Sequence, residues 1–350
     1  MRKITVILLI PILFVIGSCS TEFDINADWK DIAIVYGLLN QNDDAHYIRL
    51  TKAFLGEENA YDMAQISDSL YYESAKVFLI PMLNGDEIQV FPDTFLAIKM
   101  IPTTDIEKDT GIFATDNNLL YYTDEDLNHI EYKLQIDIPG KNSITSSTKL
   151  IDELSVKAPT VNQKIPFSDQ DHYRDFKAKI VANPNGYLYG LTIRFHYTQT
   201  LNNYTTHHYL DWVRPNIKRS FIEGGTSAVN EVTWNLSGEE FYWFLGNNID
   251  KTNPAIARKF TGLDFMFYSG NEDLSLYADI NGPSQGVVQE KPPFTNMDDP
   301  GIAIGLFASR FNKIVEDKVL NDWSLDRLSC SKYTEHLRFA NSVGAWDQCD

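Results

Sequence analysis

Apolar and polar residues alternate along most of the chain, which is the pattern of half-buried β-strands. The most regular run places the apolar residues of 130–138 on one face, with Glu131, Lys133, Gln135 and Asp137 on the other. Pro139-Gly140 ends this run, and residues 143–151 are expected to pair back with it. The pattern therefore predicts an antiparallel hairpin here.

The same period of two predicts further strands on both sides of this hairpin. An early hairpin is expected where Ile32, Ile34 and Tyr36 alternate, with a turn at 40–44 and a return at 47–50. The other predicted strands cover 75–79 (ended by Pro81), 88–91, 95–100, 176–180, 189–197, 209–213, 263–267 and 301–310.

Helices are predicted at fewer places. Ser237 followed by Glu240 forms a capping box, and Phe241, Leu245 and Ile249 share a helical face. A shorter helix is expected over 253–259 and a helical tail over 324–339, whereas 281–300 is rich in Gly, Pro, Asn and Asp and is predicted to be a long loop.

These elements predict a mainly β protein with a few helices. Residues 31–156 are expected to form an N-terminal β-sandwich of the immunoglobulin or transthyretin kind. Residues 157–172 carry two prolines and little periodicity, so the domain boundary is placed there. A second antiparallel β domain with short helices is expected over 173–320, followed by a helical tail over 321–350.

The N-terminus has the pattern of an export signal. Arg2 and Lys3 precede an apolar run over 4–16, which is too short to span a bilayer but long enough for a signal peptide core. Residues 1–18 are therefore predicted to be a signal peptide. The alternatives are an ordinary secretory signal with an incidental cysteine and a buried N-terminal helix.

Gly17-Ser18-Cys19 resembles the lipobox of bacterial lipoproteins. The resemblance implies cleavage before Cys19 and lipidation of that residue, with 19–30 as a polar tether. Glu22 and Asp24 resemble the signal that directs lipoproteins of Bacteroidota to the outer cell surface.

Three further segments resemble uncharacterised envelope lipoproteins of Bacteroidota: DIAIVYGLLN, EKPPFTNMDDPG and GIAIGLFASR. This resemblance implies attachment to the outer membrane through lipid on Cys19 and a partner among outer-membrane receptor systems. It does not specify whether the protein faces the periplasm or the cell surface, and it implies no cofactor and no catalytic residue.

The net charge of −18 argues against nucleic acid, which proteins bind through fields of Lys and Arg. Removal of residues 1–18 would leave 28 basic and 48 acidic residues, a net charge of −20. Such a surface repels anionic headgroups, so lipid rather than a basic patch is expected to anchor the chain.

Two motifs imitate known sites without satisfying their requirements. Residues 282–286 match the G-x-S-x-G of serine hydrolases, but no helix can follow Ser284 before Pro292, so Ser284 is not expected to be a nucleophile. The acidic turns Asp24-x-Asn26-x-Asp28 and Asp124-x-Asp126-x-Asn128 begin like calcium loops and lack the required Gly and Glu. They are interpreted as solvated turns.

His207 and His208 are adjacent on a predicted strand, so they are expected to point to opposite faces and not to share a metal ion.

Arg214, Lys218 and Arg219 form a basic cluster, interpreted as a solvated loop, with docking of an acidic group as the alternative. The aromatic residues of 189–212 and 241–244 are interpreted as core, with a glycan platform as the alternative.

Three functions remain open on the sequence. The first is a non-enzymatic envelope lipoprotein with a binding or accessory role. The second is a surface protein that binds glycans or nutrients, which a concave row of exposed Trp or Tyr would favour. The third is an enzyme with a site assembled from scattered residues, which a carboxylate pair or His–carboxylate cluster in a cleft would favour.

The last two cysteines, Cys330 and Cys349, are predicted to form a disulfide. They are the only thiols left if Cys19 is lipidated, and export would place them in an oxidising compartment. Two free thiols are the alternative.

Overall fold

The computed structural model describes residues 31–53, 64–66, 70–72, 74–90, 94–111, 113–114, 117–219, 231–250, 255–282 and 294–346. It confirms the predicted fold class, because the described chain is mainly β and is built from large, mostly antiparallel sheets. Two hydrophobic cores lie between these sheets.

The first core is enclosed by the strands of the N-terminal half. These are β1 (Ala33–Leu39), β2 (His46–Lys52), β3 (Lys76–Leu83), β4 (Asp86–Glu87), β5 (Gln89–Val90), β6 (Thr94–Phe95), β7 (Ile98–Thr103), β8 (Leu120–Thr123), β9 (Glu131–Asp137) and β10 (Ile144–Lys149). One layer has the order β10-β9-β3-β7 and the other β7-β8-β2-β1. Strand β7 belongs to both layers, since residues 98–100 pair with β3 and 101–103 pair with β8.

The second core is enclosed by the later strands. These are β11 (Val156–Ala158), β12 (Phe176–Val181), β13 (Leu188–Leu201), β14 (Tyr204–Val213), β15 (Ile217–Lys218), β16 (Glu231–Leu236), β17 (Ala257–Gly270) and β18 (Ala303–Lys318). The β14-β13-β17-β18 layer faces the smaller β11-β12-β16 sheet. Helices α1 (Gly238–Asn248) and α3 (Asp322–Cys330) add Phe241, Leu245 and Leu328 to this core.

Strand β18 connects the two halves of the molecule. Its residues 303–309 pair in parallel with β1, and its residues 310–318 pair antiparallel with β17. Phe307 therefore packs in the first core, while Phe311 packs in the second. The cores divide near residue 150, close to the predicted boundary at 157–172, but residues 297–307 of the predicted second domain complete the first core.

Most of the predicted strands are present, with corrections at three of them. The β9–β10 hairpin buries Tyr132, Leu134 and Ile136 as expected. The alternation of Ile32, Ile34 and Tyr36 indicated that their face of β1 is buried. The opposite face is buried instead, since Val35 and Leu39 fill the core and Tyr36 is exposed. Pro81 does not end β3, which continues to Leu83, and β18 extends eight residues beyond the predicted end at 310.

The helix predictions were only partly correct. Ser237 caps α1 by accepting a hydrogen bond from the Glu240 amide, as expected. The predicted helix over 253–259 is wrong, because β17 begins at Ala257. Helix α2 (Glu272–Asn281), capped by Asn271, was not predicted. The tail is helical only over α3 and a short 3-10 turn at Glu335–Leu337.

Candidate functional site

The two layers around the first core are called the first sandwich below. A pocket of about 490 Å³ opens on the outer face of its β7-β8-β2-β1 layer, above β1 and β2. Ile34 and Tyr36 of β1 and Arg49 and Thr51 of β2 form its floor. Their side chains share this face because residues two apart on a strand point the same way. The floor therefore consists of strand residues whose positions are fixed by the hydrogen-bonded β1–β2 pair.

The walls of the pocket come from two connections between strands. Leu70 and Tyr71 precede β3, and Lys108 and Phe113 lie between β7 and β8. Phe113 is about half exposed, at 48%. The pocket thus combines apolar and aromatic walls with polar groups, a combination typical of small-molecule sites.

Positive charge is concentrated in this pocket although the chain is strongly acidic. Arg49, Lys52 and Lys108 all line it, and the described lining contains no carboxylate. Arg49 donates a hydrogen bond of 3.0 Å to the side-chain oxygen of Asn118, a neutral acceptor. Lys108 donates to the carbonyl oxygen of Ala114 at 3.3 Å and lies 5.0 Å from the ring centre of Phe113.

The charges of Arg49 and Lys108 act on each other. Burial and the nearby guanidinium of Arg49 lower the pKa of Lys108 from its ordinary value. Neutral hydrogen-bond acceptors offset only part of the cost of placing two cations together. A bound anion would relieve this repulsion, so the pocket is electrostatically suited to a negatively charged group.

An exposed aromatic row lies on the same face, beside the pocket. Tyr47 pairs with Tyr122 across β2 and β8, and their rings stack at 6.1 Å between centres. Ile101 of β7 follows across the next strand pair and is 55% exposed. On the other side, the rings of Tyr36 and Tyr277, the latter from α2, form a T-shaped pair with their centres 6.4 Å apart. This face therefore offers rings to a ligand larger than the pocket.

The pocket lies at the end of the sandwich where the described chain begins. Asp31 forms a salt bridge with Lys141 and accepts a hydrogen bond of 2.8 Å from the Tyr72 hydroxyl. Lys52, which lines the pocket, has its ammonium 5.2 Å from the ring centre of Tyr72. Although burial opposes it, the bonds from Lys141 and Tyr72 lower the pKa of Asp31, which keeps this carboxylate charged. These contacts fix residue 31 beside the pocket.

Cys19 and Cys349 lie outside the described residues, so lipidation and the disulfide remain predictions. Cys330 is the last residue of α3, is not a free side chain, and lines a second pocket with Trp323 and Val343.

The G-x-S-x-G match also falls mainly outside the described residues, since Ser284 is not described. Gly282, its first residue, directly follows helix α2. A nucleophile elbow requires a strand at this position. The described context therefore disagrees with an elbow and supports the rejection of Ser284 as a nucleophile.

The acidic turns and the histidine pair do not form a metal site in the described structure. Asp24, Asn26 and Asp28 lie outside it, while Asp124, Asp126 and Asn128 are exposed in an irregular segment. No group of three or more His, Cys, Asp or Glu within the described ranges has a metal-binding arrangement. His208 stacks on Tyr197, and exposed His207 pairs across the strands with Thr198, so the two histidines do point to opposite faces.

The predicted basic cluster is engaged within the protein. Arg214 makes two hydrogen bonds to Glu240 and lies over Trp212, and Lys218 forms a salt bridge with Asp279. Arg219 donates to the carbonyl oxygens of Pro184 and Gly186. These contacts tie the segment after β14 to α1, to α2 and to the turn before β13, which leaves little of this charge for an acidic partner.

Most of the aromatic residues singled out in the sequence belong to the core, as interpreted. Six of them are buried: Tyr189, Phe195, Tyr197, Trp212, Phe241 and Tyr242. Tyr209 and Trp243 are exposed, at 60% and 53%. The aromatic residues of the pocket face were not singled out as a site. Tyr36 and Tyr47 belong to the predicted early hairpin, but Phe113 lies far from them in sequence and reaches the pocket only through the fold.

The comparisons with known proteins do not extend this picture. A scan against protein-family models finds no match, and a search of curated proteins finds no similar sequence. Among the described residues, no helix has both the length and the apolar character needed to cross a membrane.

Proposed function

We propose that the protein is a lipid-anchored protein of the bacterial cell envelope, with a non-enzymatic binding or accessory role at the outer membrane. The anchoring is supported by the sequence of residues 4–19, with Cys19 as the lipidated residue. The binding role is supported by one observation above all, the pocket on β1 and β2 that combines Arg49 and Lys108 with aromatic walls.

The position of the pocket fits this role. Residues 19–30 span at most about 40 Å when fully extended. Asp31 is fixed beside the pocket, so a chain anchored at Cys19 would hold the pocket close to the membrane surface. A ligand or an outer-membrane receptor at that surface would be within reach.

Membrane fractionation tests the anchor. Wild type is expected in the membrane fraction with lipid mass on its N-terminal peptide, and Cys19→Ser is expected to lose that mass. Mass spectrometry of the N-terminal peptide separates lipidation from retention by an uncleaved signal. An unmodified Cys19 in the wild-type membrane fraction would refute the anchor.

Blocking the pocket tests the binding role. Thr51→Trp would fill the floor of the pocket, and Lys177→Trp places the same side chain at an exposed position of β12. In a thermal-shift screen of small molecules, at least one compound is expected to stabilise wild type and Lys177→Trp but not Thr51→Trp. Identical responses of all three proteins would show that this pocket is not the binding site.

A second candidate function is binding of glycans at the envelope surface. It is favoured by the stacked, partly exposed pair Tyr47 and Tyr122 beside the pocket, because sugar rings pack on exposed aromatic faces. Tyr47→Ala should weaken binding in a glycan array if this candidate is correct. Tyr204→Ala, at an exposed tyrosine of β14, is the matched control.

A further inference from the structure

We infer that the pocket on β1 and β2 takes a ligand that carries a phosphate or carboxylate on an apolar or aromatic body, with Arg49 and Lys108 binding the charged group. This inference deepens the proposed binding role and rests on it. It concerns the chemical class of the ligand, which the proposed function leaves open.

The charge balance of the molecule supports an anionic ligand. The chain has a net charge of −18, and two lysines of the N-terminal half pair with carboxylates, Lys133 with Glu87 and Lys141 with Asp31. Arg49 and Lys108 instead bond only to neutral oxygens among the described residues. Two neighbouring cations that share a cavity without a described carboxylate form a site for an external anion.

The arrangement of Arg49 is suited to this role. Its hydrogen bond to Asn118 orients the guanidinium, and Asn118 is buried and donates in turn to the carbonyl oxygen of Ile106 at 2.9 Å. Residues 106–108 therefore supply both the carbonyl oxygen that holds Asn118 in place and the ammonium group of Lys108. An oriented guanidinium loses less entropy when it binds a planar or tetrahedral anion.

The apolar walls argue against a bare inorganic ion as the ligand. Ile34, Leu70 and Phe113 line the pocket together with the tyrosines. The volume of about 490 Å³ exceeds that of a phosphate ion several times over and falls within the range of sites for small organic molecules. The ligand is therefore expected to bury an apolar body against these walls.

The test uses the full-length protein in dodecyl maltoside and isothermal titration calorimetry with 1-naphthyl phosphate. Inorganic phosphate supplies the charge alone, and 1-naphthol supplies the apolar body alone. Wild type is expected to bind 1-naphthyl phosphate at least about tenfold more tightly than either fragment, since both halves of the pocket contribute. Equal affinity for 1-naphthol would overturn the role of the cations.

Charge-removing variants assign the binding groups. Arg49→Gln and Lys108→Gln are each expected to weaken binding about tenfold and to reduce its dependence on NaCl concentration. Arg49→Lys should restore part of the affinity, and Lys177→Gln, an exposed lysine of β12, should behave as wild type. Unchanged affinity and salt dependence in both pocket variants would contradict the inference, provided that their melting temperatures match wild type.

Competition identifies the source of the anion. Micelles that also carry phosphatidylglycerol should displace 1-naphthyl phosphate if the natural ligand is a lipid headgroup, whereas unchanged affinity would assign it to a soluble molecule. The ligand class would be rejected if none of the three probes bound. The proposed function would still stand if Cys19 is lipidated and another compound binds wild type but not Thr51→Trp.

Discussion

Gly305 of β18 lies directly against the backbone of Val35 in the parallel β1–β18 pair. A Cβ atom at residue 305 would collide with the carbonyl oxygen of Val35, and its φ of +134° belongs to a region that favours glycine. The strand that links the two cores can therefore approach β1 only because residue 305 has no side chain.

Gly305→Ala is expected to lower the free energy of unfolding by about 2–4 kcal/mol, because it adds both a backbone collision and a strained φ. Chemical denaturation measures this loss. Gly140→Ala is the matched control, since Gly140 has a φ of +79° but open space around it and should cost only about 1 kcal/mol. Equal losses in the two variants would mean that the contact with Val35 is unimportant.

Arg258 of β17 holds the C-terminal tail through buried hydrogen bonds. Its guanidinium donates to the carbonyl oxygens of Leu337 and Asp250, both at 2.7 Å, and its own carbonyl oxygen accepts from the Trp346 indole. Burial lowers the pKa of Arg258, a sign of how far this charge is removed from water.

Arg258→Gln is expected to destabilise the protein by about 2–4 kcal/mol, because it leaves buried carbonyl groups without partners. The tail should then be cleaved faster after residue 331 in limited proteolysis. Arg174→Gln, which removes an exposed ion pair with Asp169, should leave the stability close to that of wild type. A tail as resistant in Arg258→Gln as in wild type would contradict this role.

The sequence predicts best those strands whose two faces differ in polarity. In β9 the outward residues are charged or amide, so alternation identifies the buried face correctly. In β1 both faces are apolar, because Ile34 and Tyr36 line the pocket and Val35 and Leu39 fill the core. The buried face of β1 could therefore not be chosen from its pattern.

The pocket was missed because its charged residues meet only through the fold. Arg49 and Lys108 are 59 residues apart in sequence, and no local spacing connects them. By contrast, α2 carried local signals that were overlooked, since Asn271 caps it and Glu272 and Asp273 occupy its first turn. The pocket therefore depends on tertiary pairing, whereas α2 is encoded by local capping residues.

His46 is expected to make the protein less stable in mild acid. It is buried at the start of β2, and its Nδ1 has no hydrogen-bond partner among the described residues. Burial lowers the pKa of His46 below its ordinary value of about 6.5, although Asp43 and Asp126 oppose this. The unfolded chain then binds the proton more readily than the folded protein. The stability present above about pH 6.5 is therefore lost as the pH falls from about 6.5 toward the lowered pKa of folded His46.

The comparison of wild type with His46→Phe and His46→Asn measures this effect. Wild type should lose several degrees of melting temperature between about pH 7.5 and pH 5, and the two variants should lose less. The carboxylates of Asp31 and Asp211 have lowered pKa values, so their contributions disappear only at more acidic pH. The same pH dependence in all three proteins would exclude His46 as the source.

The disulfide between Cys330 and Cys349 is a prediction about how the chain end is fixed. The two residues enclose 18 others, and a bridge around a loop of this size contributes about 3 kcal/mol in the chain-entropy model. Within the described part of the tail, Leu337 and Phe339 are buried in the second core, whereas Val343 and Trp346 are exposed. A covalent link would therefore act where packing of the tail becomes weaker.

Cys330→Ser and Cys349→Ser are each expected to lose about 3 kcal/mol, and the double variant should lose no more than either single one, because each change removes the same bond. Alkylation of native wild type with a maleimide should label neither residue until a reductant is added. Full labelling of both without reductant would show two free thiols. The tail would then be held by Arg258, Leu337 and Phe339, and Arg258→Gln alone should release it.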